Sequence, residues 1–286
     1  MGSRRNKVQK VSPGIVLTWY CLDRLFEETP DAVEDQMPLA LITGASEGLG
    51  RAFAKRLAGD GYQVVAVARN EARLQKLVVE LGDGGHSFLT ADLCETAGVN
   101  EVAAVLSSEH FDLLVNNAGL GRYGDFATSD EAHSQQMIRL NCEALVTLSR
   151  AYLETAREGD ALVNVSGVLG LIPVPGMSVY AGTKGFILSF SQALWHEQKE
   201  RGVYVMALVP GPIATEFKSH SGGAADKGPP AAITQTPDQI IDRAMKQLAK
   251  RKRPVVMAAA RRARLLFSLF GWMPRKRVMR IMAKFH

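Results

Sequence analysis

The chain has 286 residues, 47% hydrophobic and 22% charged, which fits one sizeable core with appendages and shows no repeat or low-complexity tract. Its formal charge of +5 is uneven: from Arg243 onward there are 14 Lys/Arg and no Asp/Glu, leaving 20 basic and 29 acidic residues elsewhere. An acidic body with a basic tail is not the pattern of a nucleic-acid-binding domain, and the widely spaced Cys21, Cys94 and Cys142 offer neither a metal set nor an expected disulfide.

Residues 1–36 lack strong periodicity and read as an N-terminal extension. Their apolar stretch from Ile15 to Leu22 is too short to span a bilayer, and no small-residue cleavage site follows it. From there, short β-rich runs alternate with helical patterns: LALIT (39–43), YQVVAVA (62–68), HSFLTA (86–91), FDLLVN (111–116), ALVNVS (161–166) and VYVMALV (203–209). Such alternation predicts a doubly wound α/β domain, a parallel sheet covered on both faces. Thr236-Pro237-Asp238 predicts a capped helix running towards Lys250, and Pro254 to Met257 a last short strand. The organisation is then an extension (1–36), a single Rossmann-type domain (37–258) and a basic tail (259–286).

The turn TGASEGLG, residues 43–50, follows the first strand and opens the helical pattern RAFAKRLA. Gly44, Gly48 and Gly50 let the backbone turn tightly and approach a pyrophosphate, whose charge the helix start would take up. The second strand ends in Ala68-Arg69-Asn70. Where an NAD-binding site usually presents an acid to the ribose, Arg69 offers a planar cation suited to a 2′-phosphate, so NADP(H) is expected. The plainer alternative is a solvated arginine opening the next helix. Glu47, inside the turn, would oppose a second phosphate contact.

Four motifs stand in order along the chain: Thr43 to Gly50, Asn116-Asn117-Ala118-Gly119, Tyr180-x-x-x-Lys184, and Pro210-Gly211-Pro212-Ile213-Ala214-Thr215. With them the chain resembles the short-chain dehydrogenase/reductase family from about Leu39 to Met257. The resemblance implies a seven-stranded Rossmann sheet and a nicotinamide-dependent oxidoreductase, usually a homodimer or homotetramer through two long helices, here near Ala132–Ala156 and Ala181–Lys199. Leu145, Leu148, Tyr152, Phe186, Phe190 and Trp195 are the candidates to cover such an interface. Gly44, Ser46, Gly48, Leu49 and Gly50 would hold the pyrophosphate, Asp92 the adenine, and Asn117, Ala118 and Gly119 the adenosine side. Pro210, Gly211, Ile213 and Thr215 would hold the nicotinamide end.

On the same resemblance, Tyr180 would protonate a carbonyl oxygen as hydride arrives. Lys184 would favour the phenolate and bind the nicotinamide ribose, and Asn141 would position a water for the proton relay. The family's serine lies thirteen residues before the tyrosine, and that position is Gly167. Ser166 is one residue early, which on an alternating strand should point it away from the site unless a bulge intervenes. The departure leaves a second reading open, a non-catalytic NADP-binding sensor or assembly protein.

Leu169, Leu171, Ile172, Pro173, Val174, Pro175 and Met177 lead up to Tyr180 and suggest an apolar carbonyl substrate, a hydrophobic ketone or 3-oxoacyl compound; ordinary loop packing is the alternative reading of the same residues. On the family resemblance Glu216 to Gln235 would be the substrate lid, and its composition suggests mobility. In the tail, Leu265, Leu266, Phe267, Leu269, Phe270 and Trp272 lie between clusters of arginine and lysine. Beyond Pro274, Val278, Ile281, Met282 and Phe285 share one helical face, with Arg277, Arg280 and Lys284 on another. This suits the surface of an anionic membrane, on an otherwise cytoplasmic enzyme. The alternative is that the apolar face docks on the protein's own body or on another subunit.

Overall fold

The computed structural model describes residues 37–213 and 234–283. The N-terminal extension, residues 214–233 (with Thr215 and most of the expected lid) and residues 284–286 (with Lys284 and Phe285) lie outside the described residues. Seven strands form one parallel sheet among the residues described: β1 Leu39–Thr43, β2 Gln63–Ala68, β3 Ser87–Thr90, β4 Leu113–Asn116, β5 Ala161–Val165, β6 Tyr204–Pro210 and β7 Val255–Ala258. Their order is β3-β2-β1-β4-β5-β6-β7, so the winding reverses between β1 and β4. That reversal opens a crevice above the strand ends, where doubly wound folds take ligands. The apolar runs predict all seven strands to within two residues at either end.

Helices α1 (Gly48–Gly59), α2 (Glu71–Leu81) and α7 (Pro237–Lys250) cover one face, with Phe53, Leu57, Leu74, Leu77, Ile240 and Ile241 packed on the sheet. The opposite face is covered by α3 (Thr96–Ser108) and α5 (Leu145–Thr155), through Val102, Leu106, Leu148 and Tyr152. Every residue of β4 and β5 is buried, which is why these runs read as continuously apolar rather than alternating. Helix α7 starts as expected, with Thr236 and Gln239 forming a reciprocal cap and Pro237 in the first turn.

The long helix expected over Ala132–Ala156 is interrupted. Helix α4 (Glu131–Ile138) and α5 are joined by a π-helical turn, Arg139–Ala144, which carries Asn141. The other long helix, α6 (Ser178–Glu197), begins before Tyr180. The expected oligomer surface needs correction on three residues. Leu145, Leu148 and Tyr152 are buried in the chain's own core, and Trp195 packs against it; Phe186 stacks on Phe190 at 5.7 Å and stays exposed.

The tail resolves into two short helices, α8 (Arg261–Trp272) and α9 (Arg275–Met282). Ala263 and Phe267 pack with Val168, Leu171 and Val209, while Phe270 and Val278 pack with Ile172. One face of the tail therefore docks on the body. No helix among the described residues is long and apolar enough to cross a membrane.

Candidate active site

The cofactor end is built by β1, β2 and the start of α1. Gly50 cannot carry a side chain, because a Cβ there would lie 2.3 Å from the Gly44 carbonyl oxygen. The Asn117 side chain donates to the Thr43 and Gly44 carbonyls at 3.0 and 3.3 Å, and the Thr43 hydroxyl accepts from the Asn117 and Ala118 amides at 3.0 Å each. The turn is thus fixed by the segment after β4. The first turn of α1 has no side-chain cap and no acidic residue, so its N–H groups face an environment suited to an anion. These residues fit a pyrophosphate.

Arg69, at the end of β2, is 63% exposed in its side chain and lies 3.8 Å from Asp92, whose other oxygen accepts from the Cys94 amide at 2.9 Å. Both residues expected to grip the adenosine end therefore stand together at one corner. Glu47 is paired with Arg73 of α2, which offsets the negative charge that argued against a 2′-phosphate. Arg73 went unnoticed in the sequence; its place one turn into the helix after Arg69 was the available signal.

At the chemical end, α6 holds Tyr180 partly buried and Lys184 only 4% exposed, with the Lys184 ammonium 5.6 Å from the centre of the Tyr180 ring. Lys184 donates to the Val165 carbonyl at 2.9 Å. Burial lowers its pKa to about 8 against a partial pull from Cys142. Burial also raises Tyr180 well above the ordinary tyrosine value, and the nearby Tyr123 phenol adds to the rise. Burial of the phenol is the largest influence on Tyr180 in the protein alone. Tyr180 is held as an acid.

Asn141 is 1% exposed, accepts from the Leu120 amide at 2.9 Å and donates to the Leu120 carbonyl and Thr183 hydroxyl at 2.8 and 3.0 Å. It ties the segment after β4 to α6. A second buried chain runs from Ser149 through Asn116 and Asn164 to Ser191 at 3.0–3.1 Å, binding α5 and α6 to the two central strands. These bonds set the position of Tyr180.

The turn after β5 carries the departure. Ser166 donates to the Lys184 carbonyl at 2.7 Å and is buried, so its hydroxyl is committed to the α6 backbone and its inclusion among the catalytic candidates is corrected. No bulge brings it round; the side chain follows strand alternation. Gly167 has extended backbone, φ 166° and ψ 162°, and a Cβ added to it would meet nothing within 4 Å. The space a serine would occupy exists, and no side chain enters it from that position. Gly170 then lets the turn lie directly on α6, where a Cβ would sit 2.6 Å from the Lys184 oxygen.

A cavity beside Tyr180 is lined by Tyr123, Gly124, Phe126, Met137 and Met177. Tyr123 and Phe126 come from the irregular segment between β4 and α4, which showed no periodic signal in the sequence. Of the expected nicotinamide-side residues, Pro210 is the last residue of β6, and Gly211 and Ile213 follow it, with Ile213 bridged to Gln235. Ser46 lies in the turn entering α1, Gly48 and Leu49 are the first residues of that helix, and Gly119 lies where an added Cβ would be 3.4 Å from the Lys184 ammonium.

Comparison with known proteins agrees with this geometry. The sequence profile of the short chain dehydrogenases matches residues 38–224. The chain is 32% identical over 214 residues to the NADP-dependent 3-hydroxy acid dehydrogenase YdfG of Escherichia coli, covering 71% of this chain and 86% of that one. Among solved structures, a short-chain dehydrogenase from Sphingobium yanoikuyae in complex with NADPH superposes with a TM-score of 0.73 at 33% identity, over 82% of this chain and 93% of that one. A bulky-bulky ketone specific alcohol dehydrogenase from Comamonas testosteroni gives 0.67 at 28% identity, over 78% and 86%. The phosphate turn, the paired Tyr180 and Lys184 and the sheet order all fall inside these matches: the chain belongs to the short-chain dehydrogenase family.

Proposed function

We propose that the protein is an NADPH-dependent reductase of apolar carbonyl compounds, a hydrophobic ketone or a 3-oxoacyl compound, working as a homo-oligomer at an anionic membrane surface. The observation that carries the reading is the Tyr180–Lys184 pair, set on α6 beside a cavity that Phe126, Met137 and Met177 line together with the polar Arg122, Asp130 and His133, and fixed by two buried hydrogen-bond chains. NADPH supplies the hydride when bound. Gly44, Ser46, Gly48, Leu49 and Gly50 would bind its pyrophosphate, Arg69 its 2′-phosphate, Asp92 and Asn117 to Gly119 the adenosine side, and Pro210, Gly211, Ile213 and Thr215 the nicotinamide end.

In this reading Tyr180 gives its proton to the carbonyl oxygen as the carbonyl carbon takes up hydride, leaving the alcohol. Lys184 holds a positive charge under the phenol and is the route by which the proton is replaced, with a water positioned at Asn141. The donor absent at Gly167 is replaced by the Tyr123 hydroxyl, which shares the cavity wall with Tyr180. Phe126, Met137 and Met177 on the cavity wall favour an apolar group beside the carbonyl, in keeping with the ketone specificity named for the Comamonas testosteroni relative. The stacked Phe186–Phe190 pair on the surface of α6 is the place for a second protomer.

The test is NADPH consumption over a panel of hydrophobic ketones and 3-oxoacyl thioesters, with Tyr180→Phe as control. Tyr180-dependent turnover is expected. Tight NADPH binding with no such turnover on any carbonyl would instead support the non-catalytic sensor, the reading that Gly167 favours.

A further inference from the structure

The C-terminal helices are apolar on two sides, and the body covers only one of them. Ala263, Phe267 and Phe270 of α8 and Val278 of α9 face the segment after β5. On the opposite side of α8, Leu265, Leu269 and Trp272 recur at spacings of four and three, which sets them in one stripe. They are 65%, 54% and 92% exposed. Packing against the body explains the inner stripe and leaves the outer one without a function, although large apolar side chains grouped on a surface mark interaction sites.

The charge around the outer stripe selects the occupant. Arg261 and Arg262 border it in α8, and Arg275, Lys276 and Arg280 are exposed on α9. No Asp or Glu occurs from Arg243 to the end of the chain. A second copy docked by a twofold axis would set this basic patch against itself, a like-charge contact without an acid to relieve it. An anionic bilayer supplies both complements, a negative surface potential for the arginines and lysine and a hydrocarbon boundary for Trp272 and the leucines.

We propose that the outer stripe of α8, with the exposed basic face of α9, is a binding surface for anionic phospholipid, and that it lies in the interface while the inner stripe stays on the body. This deepens the membrane part of the proposed function and is independent of turnover. Because the inner stripe packs on Leu171 and Ile172, the same two helices hold the apolar approach to Tyr180 and the lipid surface on opposite sides. An apolar carbonyl dissolved in the bilayer is then concentrated close to the enzyme.

The experiment is cosedimentation of the full chain with vesicles of phosphatidylglycerol and phosphatidylcholine, against vesicles of phosphatidylcholine alone, at low and high salt. Binding is expected only to the anionic vesicles, weakening at least about tenfold in high salt as screened charge requires. Leu265→Asp with Leu269→Asp is expected to weaken binding by a similar factor while NADPH affinity and melting temperature hold, since neither residue faces the body. Should that double variant misfold, Arg275→Glu with Lys276→Glu tests the same surface by charge alone. Equal binding to both vesicle types, binding unaffected by folded variants, or no binding at all would overturn the proposal. Variants that dissociate an oligomer in light scattering, with lipid binding unchanged, would assign the stripe to a second copy. An enzyme inactive on every carbonyl that still binds anionic vesicles would sink the catalytic reading and leave this one standing.

Discussion

The two sides of the site that face the substrate carbonyl are built to different standards. On the α6 side, Tyr180 and Lys184 are held by a buried network that reaches β4, β5 and α5, so their position is overdetermined. On the β5 side, the turn at Gly167 has an extended backbone and free space but no hydroxyl. The comparison separates a scaffold from a functional group. The fold preserves the place for a second donor whether or not a residue fills it, because the place is set by β5 and Gly170 packing on α6, not by the side chain.

The largest expected effect tests the well-built side. Tyr180→Phe should lower the turnover rate by roughly a hundred- to ten-thousandfold, the usual range for removing a positioned acid, with NADPH affinity little changed. A variant that kept its rate would show that the α6 side is only scaffold. Filling the bare side comes next: Gly167→Ser should raise turnover about tenfold to a hundredfold, approaching the worth of one oxyanion donor. No gain would mean that the open position is not aimed at the carbonyl.

Arg69→Asp should weaken NADPH about tenfold or more relative to NADH in a fluorescence titration, as loss of a charge-assisted contact does. Equal loss for both cofactors would assign Arg69 to structure. A smaller change sharpens the comparison between the two sides. Tyr123→Phe should slow the parent enzyme roughly threefold to tenfold, the value of one modest hydrogen bond, and should have less effect in the Gly167→Ser background. Additive effects would show that Tyr123 does not replace the absent donor.

The smallest effect concerns Lys184 in the cofactor-free protein. Its folded pKa of about 8 lies below its ordinary 10.5, so between those values the unfolded chain holds a proton that the folded one has lost. Stability should therefore rise with pH from about 8, by roughly 1 kcal/mol per pH step at most. The gain is limited from about pH 9, where Cys94 and Cys142, raised by burial to about 11, act in the opposite sense. Chemical denaturation across this window should show the rise in the parent and not in Lys184→Met.

Much of this was legible before any coordinates. The apolar runs gave the strands, most plainly the central β4, β5 and β6, because strands buried on both faces cannot hide their composition, and Thr236-Pro237 marked the start of α7 because caps are local. The glycine turn, Arg69 and the Tyr180–Lys184 spacing could be read because each depends on neighbours a few residues away. Counting from Tyr180 also exposed Gly167. The π-helical turn at Asn141, the pairing of Glu47 with Arg73 and the place of Tyr123 could not be read. Each joins segments separated in sequence or lacks a periodic signature.

By itself, then, the sequence determined the doubly wound sheet and the nucleotide turn, both written in local pattern and spacing, while its resemblance to the family pointed to Tyr180, Lys184 and the glycine at 167. Only the tertiary structure decided that Ser166 bonds to the Lys184 carbonyl, that space beside Gly167 stays open, and that burial raises the Tyr180 phenol. It also decided which apolar stripe of α8 the body covers and which it leaves exposed. The physical reason is common to all four. Desolvation, side-chain direction and coverage are properties of what surrounds a residue, and in this chain those surroundings come from elements far apart in sequence.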